Sequence, residues 1–320
     1  MPNQDVTASK IVVLAGGWSD EREVSKVSGS EVAKALEEAG FNRVDLLDPA
    51  SDDFLSRLVS GDYDVAFIAM HGRMGEDGSV QGLLDVVGIP YTFSHVFASS
   101  LAMAKDMAKL VFHKAGIPVP RGVQLTDAHP DEGELDKLVE ELGLPLFVKP
   151  VGNGSSFGIS RVTTREELAP AIVMAASNGD RVLVEEAIEG TEITVPVVGN
   201  DDAEALPIIE VVTGADFYDV KVKYEPSDLH HVIPARLSSA TYALAQEYAI
   251  RAHRSLGCVG CSRSDFIVRA DGVPVILETN TIPGMTPASL LPDAARHAGI
   301  EFPELCKRFV ELALECESPS

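Results

Sequence analysis

Residues 262–285 read SRSDFIVRADGVPVILETNTIPGM. Asp271-Gly272 is the strongest short hairpin signal, so Ala270 is expected to pair with Val273 across a two-residue turn. Counting outward from that turn places Asp265 opposite Glu278 and Arg263 opposite Asn280 on one face. Phe266, Val268, Val275 and Leu277 then fill the other face as core. Two carboxylates facing each other on adjacent strands have Cβ atoms about 5 Å apart and repel. A hard divalent cation held by Asp265, Glu278 and the amide of Asn280 offsets the repulsion, and Mg2+ keeps waters or phosphate oxygens as its other ligands. The plainer alternative is a solvated acidic pair on an edge ribbon, bridged by Arg263.

Upstream, residues 148–160 (VKPVGNGSSFGIS) form a strand ending in Lys149, then a loop carrying Gly152, Gly154 and Gly158. Such a loop brings backbone N–H groups close to phosphate, and Lys149 adds a point charge. No G-K-[ST] closes it, so it is not a Walker A loop, and the lysine precedes the glycines, the reverse of the protein-kinase order. Together with the facing carboxylates, the loop points to a nucleotide.

A third cluster, residues 71–78 (HGRMGEDG), follows a strand read over residues 63–70. Ligands of open α/β sheets bind beyond the carboxyl ends of strands, where Gly16-Gly17 and Glu21 follow a neighbouring strand over residues 10–15. His71 is either a site residue or a satisfied structural histidine. The first turn lacks G-x-G-x-x-G, which argues against a dinucleotide. A helix follows that turn, with Asp20 and Glu23 as its expected cap and Gly40 as its stop; residues 44–47 make a further strand. Strand, helix, strand repeated to the Ile89-Pro90 turn indicates an open parallel sheet. Residues 97–115 keep helical spacing, an acidic helix is read over residues 131–142, and residues 213–235 read as a long loop.

The chain has 320 residues, room for two or three units, and a net charge of −23. Phosphate backbones and anionic lipid would be repelled, so nucleic acid and membrane surfaces are excluded as partners. The absence of an apolar leader or span points to the cytoplasm. Cys258 and Cys261 form a C-x-x-C without a second ligand pair and read as small buried thiols.

The chain resembles the D-alanine:D-alanine ligase family of the ATP-grasp superfamily. The motifs that carry the resemblance are GGWSDEREVS (16–25), HGRMGEDGSVQG (71–82), VKPVGNGSSFG (148–158), KYEPSD (223–228), RSDF (263–266) and ETNTIPGMTPASLLP (278–292). The resemblance implies an α/β fold of three domains. These are an N-terminal open parallel α/β substrate domain (1–100), a small central α+β domain (101–190) and a C-terminal catalytic domain with a largely antiparallel sheet and a lid loop at 213–235 (191–320). ATP sits between the last two. Lys105 and Lys149 contact ATP, Glu185 and Ile188 lie beside the adenine, and Glu192 holds the ribose. Ser155 and Ser156 close over the phosphates. Asp265, Glu278 and Asn280 match a site for two Mg2+ ions, with Mn2+ as a substitute. Glu21 takes the ammonium of the first D-alanine, with His71 nearby. Lys223, Ser289 and the N–H of Leu290 hold the carboxylate of the second. Tyr224 links the long loop to Glu21 and Ser155, and Arg263 with the N–H of Gly284 forms an oxyanion hole. A homodimer through the N-terminal domain is also implied.

This chain departs from the family pattern at several positions. Ala104 replaces the aspartate of Met-Asp-Lys, and Phe93 and His95 replace the glycines of Tyr-Thr-Gly-Ser-Gly, where they are expected to alter a hinge or a dimer contact. Val220 and Val222 replace an aromatic and a small residue. Two alternatives stand beside the main reading: a related ligase taking D-lactate or another D-amino acid as acceptor, and a nucleotide-binding module without catalysis.

Overall fold

The computed structural model describes residues 5–152, 158–177, 181–213 and 229–316. Strands β1 (Ile11–Leu14), β2 (Val44–Leu47) and β3 (Val65–Ile68) form a parallel sheet in the order β2-β1-β3. Every side chain of β1 and β3 is buried, which is why they read as continuous apolar runs. Helices α1 (Arg22–Glu38), α2 (Phe54–Ser60) and α3 (Ser79–Val87) connect and follow them. Asp20 does not cap α1: Glu21 is the N-cap, and no side-chain capping bond is made there. Instead Gly16 and Gly17, at φ 99° and 80°, turn the chain. Asp48 accepts the Gly17 N–H at 2.9 Å and pairs with Arg22, fixing the entry to α1. The sheet does not stop at Ile89-Pro90, because Tyr91 bridges in parallel to Ala66.

Residues 97–115 are not one helix. α4 (Val96–Met103) and α5 (Lys105–Lys114) break at Ala104, whose φ/ψ of −81°/86° is non-helical. An antiparallel sheet follows, made of β4 (Gly122–Leu125), β5 (Leu146–Pro150), β6 (Ser160–Val162) and β7 (Val182–Glu186) in the order β4-β7-β5-β6. α6 (Glu132–Leu142), capped by the Asp131–Glu134 box, and α7 (Leu168–Ala175) pack their leucines and alanines on its core.

The largest sheet is antiparallel: β8 (Thr191–Val198), β9 (Glu204–Ala205), β10 (Ile209–Thr213), β11 (Leu229–Val232), β12 (Cys261–Val268) and β13 (Pro274–Asn280). Part of the segment read as loop is therefore strand, since β11 pairs with β10. α8 (Ser239–Leu256) covers this sheet together with α5. α9 (Leu290–His297) and α10 (Phe302–Glu315) then return to the N-terminal sheet, where Leu291, Phe309 and Val310 join its core. Among the described residues no helix is long and apolar enough to cross a membrane. Cys258 and Cys261 are buried free thiols, and burial pushes Cys258 up to about 12.

The β12–β13 hairpin reaches the expected facing pairs by a different route. Its turn holds three residues, Ala270 to Gly272, because the Arg269 N–H bonds to Val273 O and Gly272 takes φ 81°. Phe266 consequently pairs with Ile276. A bulge then adds one residue on β13, so Asp265 still faces Glu278 and Arg263 faces Asn280. Val275 is buried as expected and Ile276 joins Phe266 and Val268 in the core, whereas Leu277 lines the adjoining cleft.

Phe93 is not a surface contact. It is 2 % exposed and packs edge-on against Phe67 and Phe309, at 5.4 and 5.1 Å. Its φ of 73° is the left-handed conformation that favours glycine, so aromatic burial offsets a backbone cost of about 1–2 kcal/mol.

Candidate functional site

The central and C-terminal sheets enclose a cleft of about 540 Å³. Phe147, Lys149 and Glu185 enter it from the central sheet, and Ile188 from the turn after β7. Glu192, Asp265, Ile267, Leu277 and Glu278 enter from the other side, with Glu210 and Arg236 also lining it. Apolar walls with a few convergent charges suit a flat heteroaromatic ring carrying a charged tail. Six of the residues singled out from sequence thus share one space: Lys149, Glu185, Ile188, Glu192, Asp265 and Glu278.

Strand alternation turns Arg263, Asp265 and Ile267 away from the core while Ser264, Phe266 and Val268 are buried. Arg263 grips Asp265 bidentately at 3.0 and 2.9 Å, and Thr194 Oγ1 also donates to Asp265. Lys105 Nζ lies 3.1 Å from Glu278 Oε2, reaching it from the first position of α5 just after the Ala104 break. Arg263 and Lys105 therefore offset the repulsion of the facing carboxylates. Asn280 Nδ2 lies 3.5 Å from Asp265 Oδ2.

Behind this face, Glu185 is 1 % exposed and lies between two ammonium groups, with Lys109 at 2.5 Å from Oε1 and Lys149 at 2.9 Å from Oε2. The Lys109 contact is close but poorly directed, so neither Lys109 Nζ nor Glu185 Oε1 completes a well-aligned hydrogen bond. Burial opposes charge on Glu185, yet Lys109 and Lys149 outweigh it and hold the carboxyl below its usual range. Burial lowers Lys109 to about 8, with Lys149 adding to the effect and Glu185 opposing it. Removing one partner from a buried group of this kind costs about 3–5 kcal/mol. Sequence reading missed Lys109, although its place one helical turn after Lys105 was a usable signal.

A second crevice lies beyond the carboxyl ends of β1 and β3. Gly72, at φ 76°, carries the chain so close to Glu21 that a Cβ there would meet Glu21 Oε2 at 2.7 Å. His71 is buried, with Nε2 3.0 Å from Ser28 Oγ and Nδ1 3.3 Å from Ile282 O. Burial would lower His71, but the carboxylates of Glu76 and then Glu21 raise it above its ordinary value. Contact with Ile282 brings this crevice to the loop after β13. There Ser289 is the N-cap of α9, its Oγ receives the Thr286 N–H at 3.1 Å, and Leu290 is the first helical residue. A helix N-terminus of this kind suits a carboxylate. Gly284 lies beside it, its would-be Cβ 3.0 Å from Ser289 Oγ. Ser155, Ser156, Lys223 and Tyr224 lie outside the described residues.

Residues 48–94 match the family model described as D-ala D-ala ligase N-terminus, and residues 111–311 match D-ala D-ala ligase C-terminus. The chain is 45 % identical over 312 residues to a D-alanine–D-alanine ligase of Desulforamulus reducens, covering 96 % of this chain and 99 % of that one. It is 47 % identical over 309 residues to one of Syntrophobacter fumaroxidans, covering 95 % and 97 %. Among solved structures, the D-alanine–D-alanine ligase of Bacillus anthracis complexed with ATP superposes with a TM-score of 0.82 at 31 % identity, covering 96 % and 98 %. The VanG D-Ala:D-Ser ligase of Enterococcus faecalis gives 0.81 at 30 %, covering 96 % and 99 %.

Proposed function

The chain belongs to the D-alanine–D-alanine ligase family, and from that premise we propose how its own residues carry the reaction. It is an ATP-dependent ligase of ATP-grasp fold that joins two D-alanines into D-alanyl-D-alanine for peptidoglycan precursors, releasing ADP and phosphate. The observation that carries the residue assignment is the single cleft uniting Lys149, Glu185, Ile188, Glu192, Asp265 and Glu278.

ATP takes this cleft, its adenine against Phe147, Leu277 and Ile188 beside Glu185, and its ribose at Glu192. Lys105 and Lys149 receive the phosphates, with Ser155 and Ser156 in the loop beyond Gly152. The carboxylate of the first D-alanine, its ammonium held by Glu21 near His71, attacks the γ-phosphorus; ADP leaves and a D-alanyl phosphate forms. A carboxylate is too poor an electrophile to react otherwise. The second D-alanine is held through its carboxylate by Lys223, Ser289 and the Leu290 N–H. Its amine attacks the acyl carbon, and Arg263 with the Gly284 N–H stabilises the tetrahedral oxyanion, a type of donor worth about 3 kcal/mol each. Collapse of that intermediate expels phosphate and leaves the peptide bond. The 213–235 segment, with Tyr224, excludes water from the acyl phosphate.

Asp265, Glu278 and Asn280 present the oxygen donors a hard cation needs, provided the Asn280 amide turns its oxygen toward Asp265. Two Mg2+ ions, or Mn2+ in their place, would neutralise phosphate charge there. The three sheets support domain limits of 1–100, 101–190 and 191–320. The working form is a cytoplasmic homodimer through the N-terminal domain, which light scattering tests. ADP release is measured with D-alanine, L-alanine, D-serine and D-lactate: turnover dependent on D-alanine is expected. ATP binding without turnover would indicate the inactive module, and preference for another acceptor the related ligase.

A further inference from the structure

We propose that Lys109 is a positioning residue for the nucleotide: by occupying one oxygen of Glu185, it keeps the Lys149 ammonium available to the phosphates. The inference rests on the reading of the cleft as the ATP site. Lys149 lines that cleft and Lys109 does not, although both bind the same carboxylate. Lys109 therefore acts through Glu185 rather than on the ligand.

Charge and geometry give the reason. Glu185 is almost wholly buried, so its charge is poorly screened and takes up whatever cation is near. With Lys149 as its only cation, the two would form a closed neutral pair. The second oxygen would then draw the ammonium inward, away from the cleft. With Lys109 on Oε1, the three groups carry one net positive charge, and Lys149 is held by a single oxygen. Lys109 is placed for this by its position on α5: Lys105, one turn earlier, reaches forward to Glu278 while Lys109 reaches Glu185. One helix thus sets two cations at two acids of the same site. Burial lowers Lys109, while the Glu185 carboxylate 2.5 Å away favours its charged form, as this role requires.

Binding of a non-hydrolysable ATP analogue with Mg2+, followed by calorimetry on the full chain, tests the proposal apart from turnover. Lys109→Gln keeps a donor for Glu185 but removes the charge, and is expected to weaken binding about tenfold or more. The KM for D-alanine should stay within about twofold in the same variant, since Glu21 and Ser289 lie elsewhere. In the Glu185→Gln background Lys149 has no carboxylate to close on, so adding Lys109→Gln should change binding by less than about twofold. Equal loss in both backgrounds, or a loss below about threefold in the parent, overturns the inference. Circular dichroism checks folding, and Lys109→Met replaces the glutamine variant if that one does not fold. D-alanine-dependent ADP release by the unmodified chain tests the ligase reading separately.

Discussion

Gly284→Ala should weaken acceptor binding while sparing ATP. The new Cβ would fall 3.0 Å from Ser289 Oγ, about 0.4 Å inside ordinary van der Waals contact. The hydroxyl has little freedom to retreat, because it accepts from Thr286 N–H at 3.1 Å and shares a hydrogen bond with Thr286 Oγ1 at 2.9 Å. Moving it by that amount stretches both bonds to the edge of useful geometry and forfeits roughly 1–2 kcal/mol in total. Loss falling on Ser289, the group proposed to receive the acceptor carboxylate, corresponds to a rise of about 5–30-fold in the acceptor KM. The Gly284 N–H itself remains, so kcat should fall much less. Initial rates of ADP release against D-alanine at saturating ATP separate the two effects. The same substitution made on top of Ser289→Ala should add almost nothing. An acceptor KM within about twofold of the parent, or an equal rise in the KM for ATP, would refute the steric reasoning.

Glu278→Gln removes a proposed cation ligand and the partner of Lys105. Turnover should fall more than about 100-fold with the circular dichroism spectrum unchanged, and retained activity would dismiss the metal site. Phe93→Gly relieves about 1–2 kcal/mol of left-handed strain but loses about 3–5 kcal/mol of aromatic packing. Net destabilisation of about 1–4 kcal/mol is therefore expected in urea unfolding, and a stabilised variant would contradict the packing account. His253 is wholly buried, and burial lowers it from 6.5 to about 4. The unfolded chain binds the proton first, so the contribution of His253 to stability is complete above pH 6.5 and is lost as pH falls through 4. It amounts to about 3 kcal/mol. His253→Gln should flatten stability against pH across that window, and an unchanged slope would sink the assignment.

Much of the site was legible because strand periodicity is rigid. Once Asp271-Gly272 is recognised as a turn, alternation alone brings Asp265 to Glu278. The expected register survived only because two local departures cancel: a turn longer by one residue and a bulge at Leu277. Neither has a composition signal, since each is decided by how Phe266 and Ile276 meet the core, and sequence consequently placed Leu277 in the core rather than at the cleft. The break at Ala104 was hidden for a similar reason: apolar spacing continues through it, and α4 and α5 each bury an apolar face. Phe93 reads as altering a hinge or a dimer contact because glycine occupies that position in the family. Its partner Phe309 lies on α10, more than 200 residues along the chain, and no local pattern announces that contact.

The acidity of the chain and its polyanionic ligand are reconciled by how the cleft stores charge. A net charge of −23 should repel ATP, but the site keeps its cations in buried or half-buried pairs with its own acids: Lys105 with Glu278, Arg263 with Asp265, Lys149 with Glu185. These pairs satisfy one another. Phosphates competing for Lys105 would weaken its hold on Glu278, one of the two facing carboxylates, and leave more of the Glu278 charge to repel Asp265 and the phosphates. Only added positive charge at those carboxylates removes that cost, so nucleotide and divalent cation each improve the site for the other, and the coupling is reciprocal by linkage. Glu185 is the exception, since Lys109 already supplies its second cation. Lys149 can therefore meet a phosphate without leaving a buried carboxylate uncovered, which is the physical reason one acid in this cleft has two lysines.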